Sequence, residues 1–183
     1  MSEELVIRQA APTLAGIKTG SLFSCTYDVR EKLLADIRGI NRKLVPKGLC
    51  MVPLRLAEGK ALLYLYRPRK LAQDLQEKLA EEMLSAAGYQ CGNIRRCVVQ
   101  LCRRLQHNGE FPHEIGFFLS YPPEDVKGFI DNRAAGCKFM GLWKVYGDEE
   151  QAKALFASYK ACTRLYCRLW QAGADIGQLA VVV

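Results

Sequence analysis

The chain has 183 residues, of which 50% are hydrophobic and 25% charged, and its formal net charge is +7 at pH 7. This length suits one domain of about 100–200 residues, and the composition is that of an ordinary globular protein. No apolar run reaches the ~18 residues that a membrane-spanning helix needs. The first residues, MSEELVIRQAAP, lack the basic start and apolar core of a secretory signal. The sequence therefore predicts a cytoplasmic protein with a single domain over residues 1–183 and no membrane contact.

The sequence contains eight cysteines, an even number that would suggest disulfides in a secreted protein. Without an export signal we expect free thiols, because the cytosol keeps cysteines reduced. Five and four residues separate Cys91, Cys97 and Cys102, and no C-x-x-C occurs, so we expect no metal site. Helical spacing predicts that three thiols are buried: Cys97, Cys102 and Cys162. The candidates for reactive thiols are Cys25, Cys91, Cys137 and Cys167.

The first part of the chain predicts a helix, a short strand and a second helix. Residues 2–11 form the first helix, which we expect to end at Pro12. A short strand follows at Leu22–Cys25. Asp28 and Glu31 have the spacing of a capping box, and apolar residues recur behind them at helical intervals.

Two neighbouring apolar runs, Leu49–Leu56 and Ala61–Tyr66, predict an antiparallel hairpin that turns at Glu58-Gly59. Pro53 cannot donate a hydrogen bond to a neighbouring strand, which places the first run at a sheet edge.

Two helices are predicted next. Pro68 begins the first, which carries leucines at helical spacing and ends at Gly88. Asn93 caps the second, and Asn108-Gly109 ends it.

The centre of the sequence predicts a β-α-β unit. Ile115–Leu119 is a continuous apolar run, typical of a strand covered on both faces. Pro122 and Pro123 begin a helix, and Gly141–Tyr146 is the second strand. A right-handed crossover would make the two strands parallel.

A long helix follows, with a second capping box at Asp148 and Gln151 and its end at Gly173. The apolar tail Gln178–Val183 predicts a last edge strand. The whole pattern predicts an α+β (or α/β) fold in a single domain. It has a mixed sheet of four or more strands, with a β-hairpin and a central βαβ unit, packed by five or six helices.

Three strings of residues carry a family resemblance: HEIGFFLSYPPEDVKGFI at 113–130, WKVYGD at 143–148 and APTLAGIK at 11–18. On these strings the chain resembles an uncharacterised bacterial family of short cytosolic proteins, classed as a domain of unknown function. The resemblance spans nearly the whole chain. No catalytic residue can be carried over from it, because no activity is established for that family.

A cysteine and a histidine form the first candidate site. Parallel strands would bring His113 and Glu114 toward the loop that carries Cys137. A thiol beside Lys138 and an imidazole could have a lowered pKa and act as a nucleophile. The alternative is that His113 bonds a loop and Cys137 is a small core residue.

The second candidate is a ligand pocket between the 111–148 stretch and the turn at residues 16–21. The turn, GIKTGS, lacks the residue order of a phosphate-binding loop. The residues expected to contact a ligand are Lys18, His113, Glu114 and Lys144.

The third candidate is a basic helix face opposite the Cys97 and Leu101 seam. Its members are Arg95, Arg96, Arg103 and Arg104. Such a face is typical of solvated surface, but it could also bind phosphates or an acidic partner. No aromatic residue is interleaved to stack on bases, so nucleic acid is the less favoured partner.

These candidates give three hypotheses for function. The leading one is a cytosolic protein that binds a small ligand or a protein partner without demonstrable catalysis. The first alternative is a thiol or hydrolytic enzyme that uses Cys137 and His113. The second is a basic surface that binds nucleic acid or an acidic partner. The ligand, the cofactor and the oligomeric state stay open.

Overall fold

The structure, a computed structural model, describes residues 1–106 and 111–183. Over these residues it contains nine α-helices and five strands in two sheets. The helices are α1 (Glu3–Leu14), α2 (Arg30–Leu44), α3 (Pro68–Asp74), α4 (Lys78–Ala86), α5 (Ile94–Gln106), α6 (Ile115–Phe118), α7 (Pro123–Asp131), α8 (Glu149–Gln171) and α9 (Ile176–Leu179). The strands are β1 (Gly20–Thr26), β2 (Cys50–Ala57), β3 (Lys60–Tyr66), β4 (Phe139–Met140) and β5 (Lys144–Val145). None of the helices described is long and apolar enough to cross a membrane.

The chain divides into two compact units. The first unit consists of Met1–Lys70 and Ala161–Val183, and the second consists of Leu71–Lys160. That the whole chain is one domain stays a prediction. The mixture of helices and strands confirms an α+β protein.

The first unit contains a three-stranded antiparallel sheet in the order β1-β3-β2. The predicted hairpin between β2 and β3 is confirmed, and Glu58 and Gly59 turn with φ of +50° and +74°. Two positive φ angles in a two-residue turn match the right-handed twist of the strands. Pro53 lies on β2, an edge strand as predicted, where the register shifts between Pro53 and Arg55.

Helices pack on this sheet, and their apolar side chains form one core with those of the strands. From the central strand, Leu63 and Leu65 contribute side chains to the core. Leu33, Ile37 and Leu44 of α2 also belong to it, at the three- to four-residue repeat of a helix face. Further buried side chains come from α1, α9 and the last part of α8.

A buried arginine connects the ends of three segments of this unit. Arg67 follows β3 and is 2% exposed. Its Nε donates to Thr13 O at 2.8 Å, and its Nη2 donates to Leu14 O and Val181 O at 2.8 Å each. Two of these carbonyls lie at the C-terminal end of α1, where the helix dipole is negative. The guanidinium thus holds the C-terminal tail beside the end of α1.

In the second unit the predicted central β-α-β unit is wrong. The run Ile115–Leu119, predicted as a strand, forms the short helix α6, in which Phe117 is 2% exposed. A segment that is buried on every side is apolar at every position, so its hydrophobic pattern has neither the period of a strand nor that of a helix. Ser120, with φ of +57°, ends it. Val145 instead pairs antiparallel with Phe139 in the two-stranded sheet β4-β5.

The predicted mixed sheet of four or more strands is wrong for the same reason. The two sheets of the described residues have three and two strands, and every pair is antiparallel. The predicted strand at Gly141–Tyr146 is reduced to Lys144–Val145.

Several helix ends also differ from the prediction. Pro12 lies inside α1, which kinks at Ala10 instead of ending. The capping box of Asp28 does not form, because α2 begins after Val29 without a side-chain cap. The helix predicted from Pro68 to Gly88 is two helices, α3 and α4. Because this predicted helix is divided and the short helices α6 and α9 also form, the described residues contain nine α-helices and not the expected five or six.

Other terminal signals agree with the structure. Asn93 accepts a hydrogen bond from Arg96 N at 3.1 Å and caps α5 as predicted. Asp148 likewise accepts from Gln151 N at 3.0 Å at the start of α8. The predicted stop at Asn108-Gly109 lies outside the described residues. The predicted edge strand at Gln178–Val183 does not form. Gln178 and Leu179 belong to α9, which begins with a capping box of Asp175 and Gln178, and residues 180–183 form neither helix nor strand.

Candidate functional site

One buried carboxylate organises the residues around α7 and β5. Asp125 is 3% exposed and accepts hydrogen bonds from Trp143 Nε1 at 2.7 Å, Tyr146 N at 2.7 Å and Gly147 N at 2.8 Å. Three donors satisfy a buried carboxylate and compensate for its lost hydration. Asp125 therefore has a structural role, because it connects α7 to the residues on both sides of β5.

A second carboxylate, that of Glu114, lies against the last turn of α5. The Glu114 side chain is 14% exposed, and its Oε1 accepts from Arg104 Nη1 and from Tyr89 Oη at 3.0 Å each. The guanidinium also lies over the Tyr89 ring at 4.7 Å and donates to the carbonyl of Ala87. Burial, followed by the charge of Glu114, raises the pKa of Tyr89, so the phenol stays a donor. These contacts join Glu114 to the end of α4 and to α5.

An open recess of about 560 Å³ lies beside the ion pair of Glu114 and Arg104. Its lining combines cationic, imidazole and apolar groups: Arg103, Arg104, Phe111, Pro112, His113, Glu114 and Ile130. Phe111 is 49% exposed, so an apolar surface is available next to the guanidinium groups. A group that is both acidic and apolar fits this combination.

Two of the predicted ligand residues, His113 and Lys144, lie against one ring. The His113 ring meets the Phe129 ring edge-on, with 4.9 Å between centroids. Lys144 Nζ lies 5.9 Å from the Phe129 centroid and donates to Ala134 O at 2.6 Å. His113 and Glu114 line the recess, whereas the Lys144 ammonium donates its hydrogen bond to a loop carbonyl, that of Ala134.

Lys18, the fourth predicted ligand residue, belongs to the first compact unit, and the other three belong to the second. In its turn the backbone N–H groups of Ile17 and Lys18 both donate to Pro12 O, at 3.0 and 3.1 Å. These two amides are therefore engaged in closing the turn. Burial lowers the pKa of Lys18 from 10.5 to about 8.

The geometric argument for bringing Cys137 close to His113 does not hold. It depended on parallel strands at residues 115–119 and 141–146, and the first of these is the helix α6. His113 packs against Phe129 and Phe111, whereas Cys137 is half-buried in the segment that precedes β4. Catalysis by this pair stays a prediction.

The basic face of α5, which we define as Arg95, Arg96, Arg103 and Arg104, is exposed as expected. On the opposite side of the helix Cys97 and Leu101 are 0% exposed. Within the described residues Arg95 and Arg96 form no ion pair, whereas Arg104 is paired with Glu114. No group of three or more histidine, cysteine or acidic side chains in the described residues could hold a metal ion.

Sequence reasoning missed Tyr89 as a partner of Glu114. Its only local signal was its place directly after Gly88, the residue that ends the helical pattern. Tyr89 N donates to Leu84 O at 2.9 Å, so the helix ending turns the ring inward, where it is 5% exposed.

The fold and the recess define an α+β protein with two small antiparallel sheets and a basic surface along one helix. The chain belongs to the family described as Protein of unknown function (DUF3793), whose model matches residues 6–180. This match confirms the expected membership of a family of unknown function. No curated protein and no solved structure matches the chain.

Proposed function

We propose that this protein binds an acidic, partly apolar segment of a partner protein. The binding surface is the basic face of α5 together with the recess at the end of that helix. The observation that carries this proposal is the charge of α5, which holds four arginines and no acidic residue over Ile94–Gln106. Two of them, Arg95 and Arg96, are exposed and form no ion pair within the described residues.

Other surface helices of this chain pair their charges internally. Arg8 bonds Glu4 in α1, and Lys153 bonds Glu149 in α8, each at a spacing of four residues. Such pairs stabilise a helix by a few tenths of a kcal/mol, and clustered like charges oppose it by similar amounts. Helix α5 contains no acidic residue that could form such a pair, and Arg95 and Arg96 have no ion-pair partner in the described part of the chain. This supports a partner that supplies the negative charge.

The recess adds the apolar part of the proposed specificity. Glu114 is already neutralised by Arg104, so it does not repel an incoming carboxylate. Phe111 offers an exposed ring beside these groups. A segment that combines glutamate or aspartate with an apolar side chain would satisfy both kinds of contact.

We also place the protein in the cytoplasm. The structure describes all eight cysteines and none of them forms a disulfide, which is the usual state of thiols in a reducing compartment. A moderate positive charge of +7 leaves it able to attract acidic proteins there.

The test is a fluorescence anisotropy titration with a labelled peptide of alternating glutamate and leucine. We expect micromolar binding at about 50 mM salt that weakens strongly at about 500 mM, because screening reduces attraction between exposed charges. The double substitution Arg95→Gln with Arg96→Gln should weaken binding about tenfold, the effect of about 1.4 kcal/mol.

The matched control is the double substitution Arg164→Gln with Arg168→Gln, which removes two exposed arginines from α8 and the same net charge. It should leave the affinity within about twofold. Equal losses in both variants would show that only net charge matters and would overturn the proposal. Tighter binding of a labelled single-stranded oligonucleotide than of the peptide would also overturn it, in favour of a nucleic-acid surface.

A further inference from the structure

Two cysteine thiols meet at the start of α5. Cys91 Sγ and Cys97 Sγ lie 4.0 Å apart, close enough for a weak S–H···S hydrogen bond. Cys91 is half-buried in the turn before the helix. Cys97 lies in the first turn of α5 and is 0% exposed. The pair thus combines a half-buried cysteine with a fully buried one.

The local backbone allows these sulfurs to approach further. A disulfide requires about 2.05 Å between the sulfur atoms, so they must close by about 2 Å. Gly92 directly follows Cys91, and a Cβ at this position would meet nothing within 4 Å. The turn therefore has room to move, whereas the helix holds Cys97 in place.

We infer that Cys91 and Cys97 are a reversible redox pair, which a small-molecule disulfide such as oxidised glutathione converts to an intramolecular disulfide. The Cys91 thiolate attacks one sulfur of the small disulfide, whose S–S bond breaks and releases one thiolate. The Cys97 thiolate then attacks Cys91 Sγ and displaces the second small thiolate. The two cysteines lose two electrons, the oxidant gains them, and the two protons pass to the released thiolates.

The surroundings of the pair make this exchange slow at neutral pH. Burial raises the pKa of Cys91, and it raises the pKa of Cys97 to about 12. The titratable groups that act on the pair are Glu81, whose charge raises the pKa of Cys91, and the neutral phenol of Tyr89, which lies near Cys97. Because the thiolate is the reacting form, the rate should rise roughly tenfold per pH unit up to the pKa of Cys91.

The cross-link would act on the proposed binding surface, and this consequence rests on the proposed function. It would tie the turn that follows Tyr89 to the helix that carries the basic face. Oxidised and reduced protein should therefore differ in affinity for the acidic peptide. The cross-link itself is measured without any partner, so its failure is distinguishable from a failure of binding.

The experiment is tryptic peptide mapping of native, full-length protein after incubation with oxidised glutathione. Trypsin cleaves after Arg95 and Arg96, so the two cysteines fall in separate peptides, residues 79–95 and 97–103. The variant Cys102→Ser leaves Cys97 as the single cysteine of the second peptide. We expect one linked species, about 2 Da lighter than the sum of the two peptides, that dithiothreitol removes.

The controls separate this pair from the other thiols. Cys91→Ser should abolish the linked species, and Cys97→Ala should leave glutathione attached to Cys91. Cys162→Ser should change neither result. Glutathione that stays on Cys91 in protein with Cys97 intact, or linkage that forms only in denaturant, would overturn the inference. Equal peptide affinity in both oxidation states would contradict the proposed effect of the cross-link on binding, but it would not contradict the cross-link itself.

Discussion

At the scale of single residues, two buried charged side chains each stabilise one compact unit. Arg67 donates to backbone carbonyls in the first unit, and Asp125 accepts from an indole and two backbone N–H groups in the second. Removing one partner from a buried charge is more destabilising than replacing the whole pair by apolar groups. Both side chains therefore stabilise the fold through the polar groups with which they form hydrogen bonds.

Asp125→Ala should lower the free energy of unfolding by about 3 kcal/mol, because one buried and two partly buried donors lose their acceptor. Urea unfolding followed by circular dichroism and tryptophan fluorescence measures this change. Asp131→Ala is the control on the same helix, since its bond to Lys127 is exposed. We expect the control to cost less than about 0.5 kcal/mol. Similar losses in the two variants would contradict the structural role of Asp125.

Arg67→Lys should lower the stability by about 2 kcal/mol, although it keeps the charge. A lysine ammonium cannot reproduce the planar fork that reaches Thr13, Leu14 and Val181 together. Thermal unfolding of both proteins checks this expectation. Arg69→Lys, at an exposed position two residues later, should be neutral within about 0.5 kcal/mol. A neutral Arg67→Lys would show that the buried fork is not needed.

At the scale of elements, close packing decides the form of the second unit. The short sheet β4-β5 approaches α7, and Tyr146 lies against the backbone of Gly128. A Cβ at Gly128 would lie 2.5 Å from Tyr146 Cβ, which real structures do not tolerate. Glycine is therefore retained in a helix although it lowers helix propensity.

Gly128→Ala should destabilise the protein by about 1–2 kcal/mol, because the overlap with Tyr146 outweighs the gain in helix propensity. Gly39→Ala in α2 is the matched control. A Cβ at Gly39 meets only Arg42 Nη2, at 3.7 Å, an ordinary contact. This control should stabilise the protein by up to about 1 kcal/mol. Melting temperatures that move in the same direction in both variants would contradict the packing argument.

At the scale of the whole molecule, one buried amine makes stability depend on pH. Because burial lowers the pKa of Lys18 to about 8, the unfolded chain binds this proton more tightly than the folded one. Below about pH 8 the folded protein carries the full penalty of a buried ammonium. The penalty is relieved as the pH rises from about 8 toward 10.5, where the unfolded chain still holds the proton.

Lys18→Met removes this titration. The stability of the natural protein relative to the variant should be constant below pH 7 and should rise between about pH 8 and 10. Urea unfolding of both proteins over this pH range gives the difference, in which the other titrating groups cancel. A difference that does not change with pH would contradict the lowered pKa.

The candidate site was predicted in part. His113, Glu114, Arg103 and Arg104 were all named from the sequence, and all four line the recess. The sequence could not show that Glu114 faces Arg104 and Tyr89, because these residues lie on separate elements. The expected convergence of Cys137 on His113 had no local signal either, and it depended on a strand that does not form.

Local signals in the sequence determined the hairpin, its edge strand at Pro53, the cap at Asn93 and the long last helix. Each rests on neighbouring residues: a turn that needs positive φ, a missing N–H, a side chain that reaches the next turn. Only the tertiary structure decided that Ile115–Phe118 is helical and that Gln178–Val183 forms no edge strand. Burial on all sides removes the alternation that distinguishes strand from helix, so contacts distant in sequence select the conformation of such segments.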